Sequence, residues 1–154
     1  MTSDIDENSK KDIIERLLML DEEISLIFDN EEYYEIVIVG GSALLLINKL
    51  SRATLDVDTI LCSDELKPYI EKYDINSNVV AYRNNFADDY YNRRIKLDIP
   101  SKKITFYSAS LEDIIISKLS SPRHEDAIDI RNPKIIESVD WDVLDAIVKS
   151  DDFK

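Results

Sequence analysis

The chain has 154 residues, enough for one domain, and 44% of them are hydrophobic, enough to bury a sizeable core. A formal net charge of −13 argues against a surface built for phosphate backbones, which relies on clustered Lys and Arg. No stretch approaches a membrane span, and the opening MTSDIDENSKKD lacks the layout of a signal peptide. The single cysteine, Cys62, cannot form an internal disulfide, so a reducing, cytoplasmic setting is expected. No CxxC or paired histidine accompanies it, which favours a small buried filler at a strand end over a nucleophile.

Residues 1–8 are polar and expected to fray. Ser9-Lys10-Lys11-Asp12 has the form of a capping box, and Ile13, Leu17, Leu20, Ile24 and Ile27 then recur as the stripe of an amphipathic helix. Ile36-Val37-Ile38-Val39 predicts a short strand buried on both faces. Gly40-Gly41 follows, and Ala43 to Leu50 reads as a helix. Thr54 to Leu61 alternates as the next strand, Asp64 to Tyr73 as a helix, and Asn78 to Tyr82 as a short strand. An aromatic, acidic loop with Tyr82, Phe86, Tyr90 and Tyr91 could stack a base, but covering the sheet edge is the simpler use. Ile95 to Ile99 and Lys103 to Tyr107 are the last strands. Within this region Arg93, Arg94, Lys96, Lys102 and Lys103 form a local basic cluster, readable as charge pairs on a solvated face or as a nucleic-acid patch.

From Ser110-Leu111-Glu112-Asp113, another capping pattern, the chain is predicted helical: one helix to about Ser121, a second over His124 to Arg131, then Ile135 to Val139 and Trp141 to Val148. Trp141 reads as a packing anchor, and His124, without a partner base or nucleophile, as a helix N-terminal residue. There is no internal repeat or linker. Strands first and helices later, with one βα unit early, predict a single α+β or mixed α/β domain over 1–154, its motif core at 36–61 and its helical part at 110–150.

The two glycines of the whole chain stand side by side where a strand ends and a helix begins. The first-turn N–H groups of a helix have no internal partners and sit at its positive end. Without side chains at Gly40 and Gly41 a phosphate can come close, and Ser42 adds a hydroxyl; a tight strand-to-helix turn would need the same residues. Asp56 and Asp58, two apart, project from one strand face with Thr54, while Leu55, Val57 and Leu61 point to the core. Adjacent carboxylates repel unless a cation lies between them, and hard oxygens at this spacing suit Mg²⁺ completed by substrate phosphates.

Gly40-Gly41-Ser42, followed by Arg52-x-Thr54-x-Asp56-x-Asp58, resembles the signature of the nucleotidyltransferase superfamily. The closest resemblance is to small minimal members with a GGxAL…RxTxDxD pattern: DUF6036-like, AbiEii-like abortive-infection and toxin–antitoxin-type nucleotidyltransferases. The run Leu111 to Leu119 and then Arg123-x-x-Asp126-x-x-Asp129 resembles the helical segment of the same group. The resemblance spans roughly Ile36 to Arg131 and implies the nucleotidyltransferase fold, a small mixed sheet flanked by helices.

It further implies nucleotide binding at Gly40, Gly41 and Ser42, and a divalent metal, Mg²⁺ or Mn²⁺, held by Asp56 and Asp58. A third carboxylate often comes from a neighbouring strand in that superfamily; the candidate here is Asp98. Lys118 shares a helix face with Ile114 and Ile115, so it either snorkels outwards or meets an anion, and the resemblance offers it the triphosphate. Arg52 is placed to meet phosphate or Asp56, and Asp126 is a further candidate from the helical segment.

Two functions follow. One is transfer of a nucleoside monophosphate from a nucleoside triphosphate to an RNA, protein or small-molecule hydroxyl, with RNA disfavoured by the acidic charge. The other is a catalytically weak or inactive regulator on the same scaffold, binding nucleotide or a toxin–antitoxin partner protein. The absence of a separate acceptor-binding domain in so short a chain favours the second modestly.

Overall fold

The computed structural model describes residues 2–28, 32–47, 57–76, 89–119 and 133–149. A long helix, α1 (Thr2–Ile27), leads into β1 (Tyr34–Val39), which turns directly into the short helix α2 (Gly40–Leu46). Strand β2 (Val57–Cys62) is followed by a broken helical stretch, with 3-10 turns on either side of α3 (Lys67–Ile70), and by β3 (Ile75–Asn76). A 3-10 turn (Tyr90–Arg93) precedes β4 (Ile95–Lys96) and β5 (Ile104–Ser108). The helices α4 (Leu111–Leu119), α5 (Pro133–Ser138) and α6 (Trp141–Lys149) complete the chain. This is the mixed α/β architecture expected, a small mixed sheet flanked by helices with a helical C-terminal segment.

Among the described residues five strands lie in the order β3-β2-β1-β5-β4. β1 is central, antiparallel to β2 and parallel to β5, and the edge strands add β3 parallel to β2 and β4 antiparallel to β5. Ile36, Val37, Ile38 and Val39 are all fully buried, as a β-branched run between two faces requires. One sheet face carries Tyr34, Ile36, Ile38, Ile104 and Phe106, which join a single core with Ile13, Leu17, Leu20 and Ile24 of the α1 stripe, whereas Ile27, expected in the same stripe, is exposed in the last turn. α1 begins at Thr2, well before the Ser9 cap, because no glycine or proline interrupts those first turns.

A charged residue inside that stripe fixes α1 to the sheet. Asp21 is buried, and its carboxylate accepts the backbone N–H of Lys102 (2.7 Å), Lys103 (2.7 Å) and Ile104 (2.8 Å). Lys102 also pairs through its ammonium with Glu22 (3.0 Å). A second clamp joins α1 to the stretch before β3: Arg16 donates to the Tyr73 carbonyl (3.0 Å), and Glu23 receives Tyr73 Oη and Lys72 Nζ, each at 2.7 Å. The bonds from Lys72 and Tyr73 hold the Glu23 carboxyl below its ordinary range.

The other sheet face bears Glu35, Val37, Tyr107, Lys96 and the half-buried Asp58. Tyr91 of the 3-10 turn crosses it, donating to Glu35 (2.7 Å), and Arg94 stacks between the Tyr91 and Tyr107 rings at 3.7 and 4.4 Å from their centroids. The aromatic loop thus covers the sheet with Tyr90 and Tyr91; Tyr82 and Phe86 lie outside the described residues. Arg93 is gripped by Asp89 (2.8 Å) and by the buried Asp113 (2.8 Å), whose backbone N–H is capped by Ser110 Oγ (3.1 Å). Ser110 therefore caps α4 as the sequence indicates, and the basic cluster is spent largely on internal pairs.

Trp141 and the strand expected at 95–99 also differ from expectation. Trp141 is 59% exposed, and α6 anchors instead through the buried Ile147 with Val143 and Leu144, its first turn capped by Asp140. Strand β4 is only two residues long, because the chain folds back on itself at Ile99 N–H to Leu97 O (3.0 Å) ahead of Pro100. The expected strand at 78–82 and helix at 124–131 lie outside the described residues. Replacing Asp21 by Ala would leave the buried N–H donors of Lys103 and Ile104, and the part-buried one of Lys102, without their shared acceptor; chemical denaturation is expected to show a loss of about 3 kcal/mol or more.

Candidate functional site

The turn from β1 into α2 is made by glycine for a stated conformational reason at one position only. Gly40 has φ 73, in the region that costs an L-residue with a side chain. Gly41 is not among the positive-φ residues, so the backbone does not need a glycine there. Both are half-buried, no side chain caps this end of α2, and Gly41 therefore leaves bare backbone in an uncapped first turn. Ser42 is 1% exposed, packed inward with Ala43 and Leu44. Its hydroxyl faces the interior rather than open solvent.

Strand pairing brings a carboxylate beside this turn. Val39, the last residue before Gly40, is the register partner of Asp58. Paired Cα atoms of antiparallel strands lie about 5 Å apart, so the glycine turn and Asp58 are neighbours. A bulge sets which way Asp58 faces. Val37 pairs with Leu61 and Ile38 with Thr59, leaving Ile60 as the extra residue. Val57 and Thr59 therefore share the fully buried side, whereas Leu61 falls on the side of Asp58 and is half-buried. The alternation expected for this strand is broken after Thr59, but Asp58 keeps the open side.

Asn76 of β3 is the register partner of Asp58 on its other flank, and Asn76 Nδ2 donates to Asp58 Oδ1 at 3.0 Å. A carboxylate only accepts, so the amide presents its NH₂ to Asp58. No pattern in the residues points to Asn76, since a two-residue strand has no periodicity to read. The donors gathered here are hard oxygens, and Asp56, two residues before Asp58, lies outside the described residues. Among the described residues no group of three His, Cys, Asp or Glu side chains could hold a metal ion. A single hard carboxylate on an open strand face suits a divalent ion completed by phosphate oxygens and water, not a closed protein cage.

The structure does not bring Asp98 to this point. Asp98 is exposed and follows β4 at the far edge of the sheet, with β1 and β5 between β4 and β2. Three strand spacings amount to about 14 Å, too far for one ion to be shared with Asp58. Asp98 is also displaced along the strands, because Lys96 pairs with Tyr107, Tyr107 with Val37 and Val37 with Leu61. Lys118 lies in the last turn of α4, its side chain outside what the structure describes, as are Arg52 and Asp126 altogether.

Cys62 ends β2, 8% exposed, with its thiol pushed up to about 11, mainly by burial. It is the inert strand-end filler expected from the sequence, and no helix of the described residues is long and apolar enough to cross a membrane.

A central strand turning through glycine into a helix, flanked by a strand whose carboxylate stands beside that turn, places the molecule among the nucleotidyltransferase folds. The chain belongs to the family described as "Nucleotidyltransferase of unknown function", DUF6036, whose model matches residues 15–153. No curated protein and no solved structure matches it.

At pH 8 only about one Cys62 thiol in a thousand is ionised in the folded protein. Thiol reagents are expected to label it at the rate of unfolding, and rapid labelling of the native protein would contradict its burial. Because its folded value exceeds the unfolded one, Cys62 contributes stability that is fully present below about pH 9 and lost as pH rises towards 11. Cys62→Ala should flatten that alkaline fall in denaturation midpoints.

Proposed function

We propose that the protein is a metal-dependent nucleotidyltransferase that moves a nucleoside monophosphate from a nucleoside triphosphate to an acceptor hydroxyl. The observation that carries this reading is the pairing of Val39 with Asp58 beside the Gly40-Gly41 turn, in a chain of this family. The bare backbone of Gly40 and Gly41 receives phosphate oxygens, with Ser42 fixing the turn from inside. Asp58, with Asp56, holds Mg²⁺ or Mn²⁺. Arg52, Lys118 and Asp126 are assigned to the surroundings of the triphosphate, where the two cations offset its charge.

The divalent ion, when bound, stabilises charge on the attacking and leaving oxygens as pyrophosphate departs. The residues' own work is placement: they hold the α-phosphorus in line between acceptor and leaving group. A protein or small-molecule acceptor fits better than RNA. Net charge is −13, and Arg93, Arg94 and Lys102 are engaged with Asp89, Asp113, Tyr91, Tyr107 and Glu22. A cytoplasmic toxin–antitoxin or abortive-infection role, with a protein partner, is consistent with this. The second reading, a nucleotide-binding regulator, is favoured by one feature: an amide, Asn76, faces Asp58 where a third acid would be expected.

Release of pyrophosphate from each nucleoside triphosphate with Mg²⁺ or Mn²⁺, in cell extract as acceptor source, separates the two. Replacing Asp56 and Asp58 together by Ala is expected to cut transfer about a thousandfold or more while circular dichroism stays unchanged. Undiminished transfer by that variant would sink the mechanism; tight nucleotide binding without pyrophosphate release would favour the regulator.

A further inference from the structure

We infer that Asn76 is a positioning residue for the Asp58 carboxylate and sets how strongly the site holds a divalent cation; this rests on the carboxylate reading above. Three separate features fix Asn76 in place. Asp74 adopts a left-handed turn (φ 57) at the end of the 3-10 turn before β3, and its carbonyl accepts the N–H of Val57 (3.4 Å). Ile75 is buried as the register partner of Val57. Thr59, itself fully buried, donates its hydroxyl to the Asn76 carbonyl at 2.9 Å. The Asn76 side chain itself is exposed and spends its amide on Asp58 Oδ1. A buried hydroxyl, a buried side chain and a left-handed residue thus hold the backbone of a surface amide.

That arrangement has two chemical consequences. A hydrogen bond to one carboxylate oxygen fixes the plane and rotamer of Asp58, so the carboxylate is oriented before any cation arrives. The amide also adds no negative charge where an aspartate would, and the number of charged ligands tunes cation affinity. A third carboxylate at this register position would strengthen binding of the bare ion and would repel the oxygens of a triphosphate. An amide orients Asp58 without adding that charge or that repulsion, so the site favours a cation that comes with its nucleotide.

Titration with Mn²⁺ alone, followed by the electron paramagnetic resonance of unbound ion at about 0.1 M salt, tests the inference, with Asp58→Ala defining adventitious binding to this acidic chain. Asn76→Ala is expected to weaken the Asp58-dependent binding about ten- to a hundredfold. Its unfolding temperature without metal should stay unchanged, since the side chain is exposed. Asn76→Asp should bind Mn²⁺ more tightly than the native chain and gain more thermal stability from it. Native-like Mn²⁺ affinity in Asn76→Ala, or no tightening in Asn76→Asp, overturns the inference and leaves the carboxylate site standing. Equal Mn²⁺ binding by the native chain and Asp58→Ala overturns the carboxylate reading itself, and this inference with it.

Discussion

The carboxylate of Asp21 is buried in the apolar stripe of α1, where an unpaired charge could not remain. It is accommodated because three consecutive N–H groups, of Lys102, Lys103 and the first residue of β5, converge on it. Those donors would otherwise be orphaned at the start of a strand that pairs with central β1 along its whole length. One interaction thus satisfies a charge and three backbone groups, and it fixes where α1 crosses relative to the sheet. Through Arg16 and Glu23 the same helix holds Tyr73, so the placement of β3 next to β2 also traces back to α1.

The two faces of the sheet carry different burdens. The face packed with the α1 stripe is almost wholly apolar and supplies stability. The opposite face is closed at one end by Tyr91, Arg94 and the Arg93 clamp, and carries Asp58 towards the other. Arginine suits both tasks, because its planar group stacks on rings and forks onto carboxylates where lysine would do neither well. β4, which follows Arg93 and Arg94, is separated from β2 by two strands. Arg93, Arg94 and Lys102 are committed to the fold.

Much of this was legible in the residues. The apolar stripe of α1, the buried run of β1, the glycine turn and the Ser110 cap all follow from local rules of periodicity, β-branching and capping. The inert Cys62 followed from its isolation in the sequence. Trp141 misled because a large aromatic is read as an anchor, while α6 buries Ile147 instead. Leu61 misled because alternation assumes an unbroken ladder, and the bulge at Ile60 shifts every later residue of β2 to the other side.

By itself the sequence determined the family resemblance and the identity of the glycine turn, since these reside in short motifs whose spacing is a local property. Only the tertiary structure decided which distant residues stand beside Asp58. Strand order is set by long-range packing, and it sends Asp98 to the far edge while it lays Asn76 alongside. No pattern within β4 or β3 could announce this, because two-residue strands carry no periodicity and register depends on a partner elsewhere in the chain.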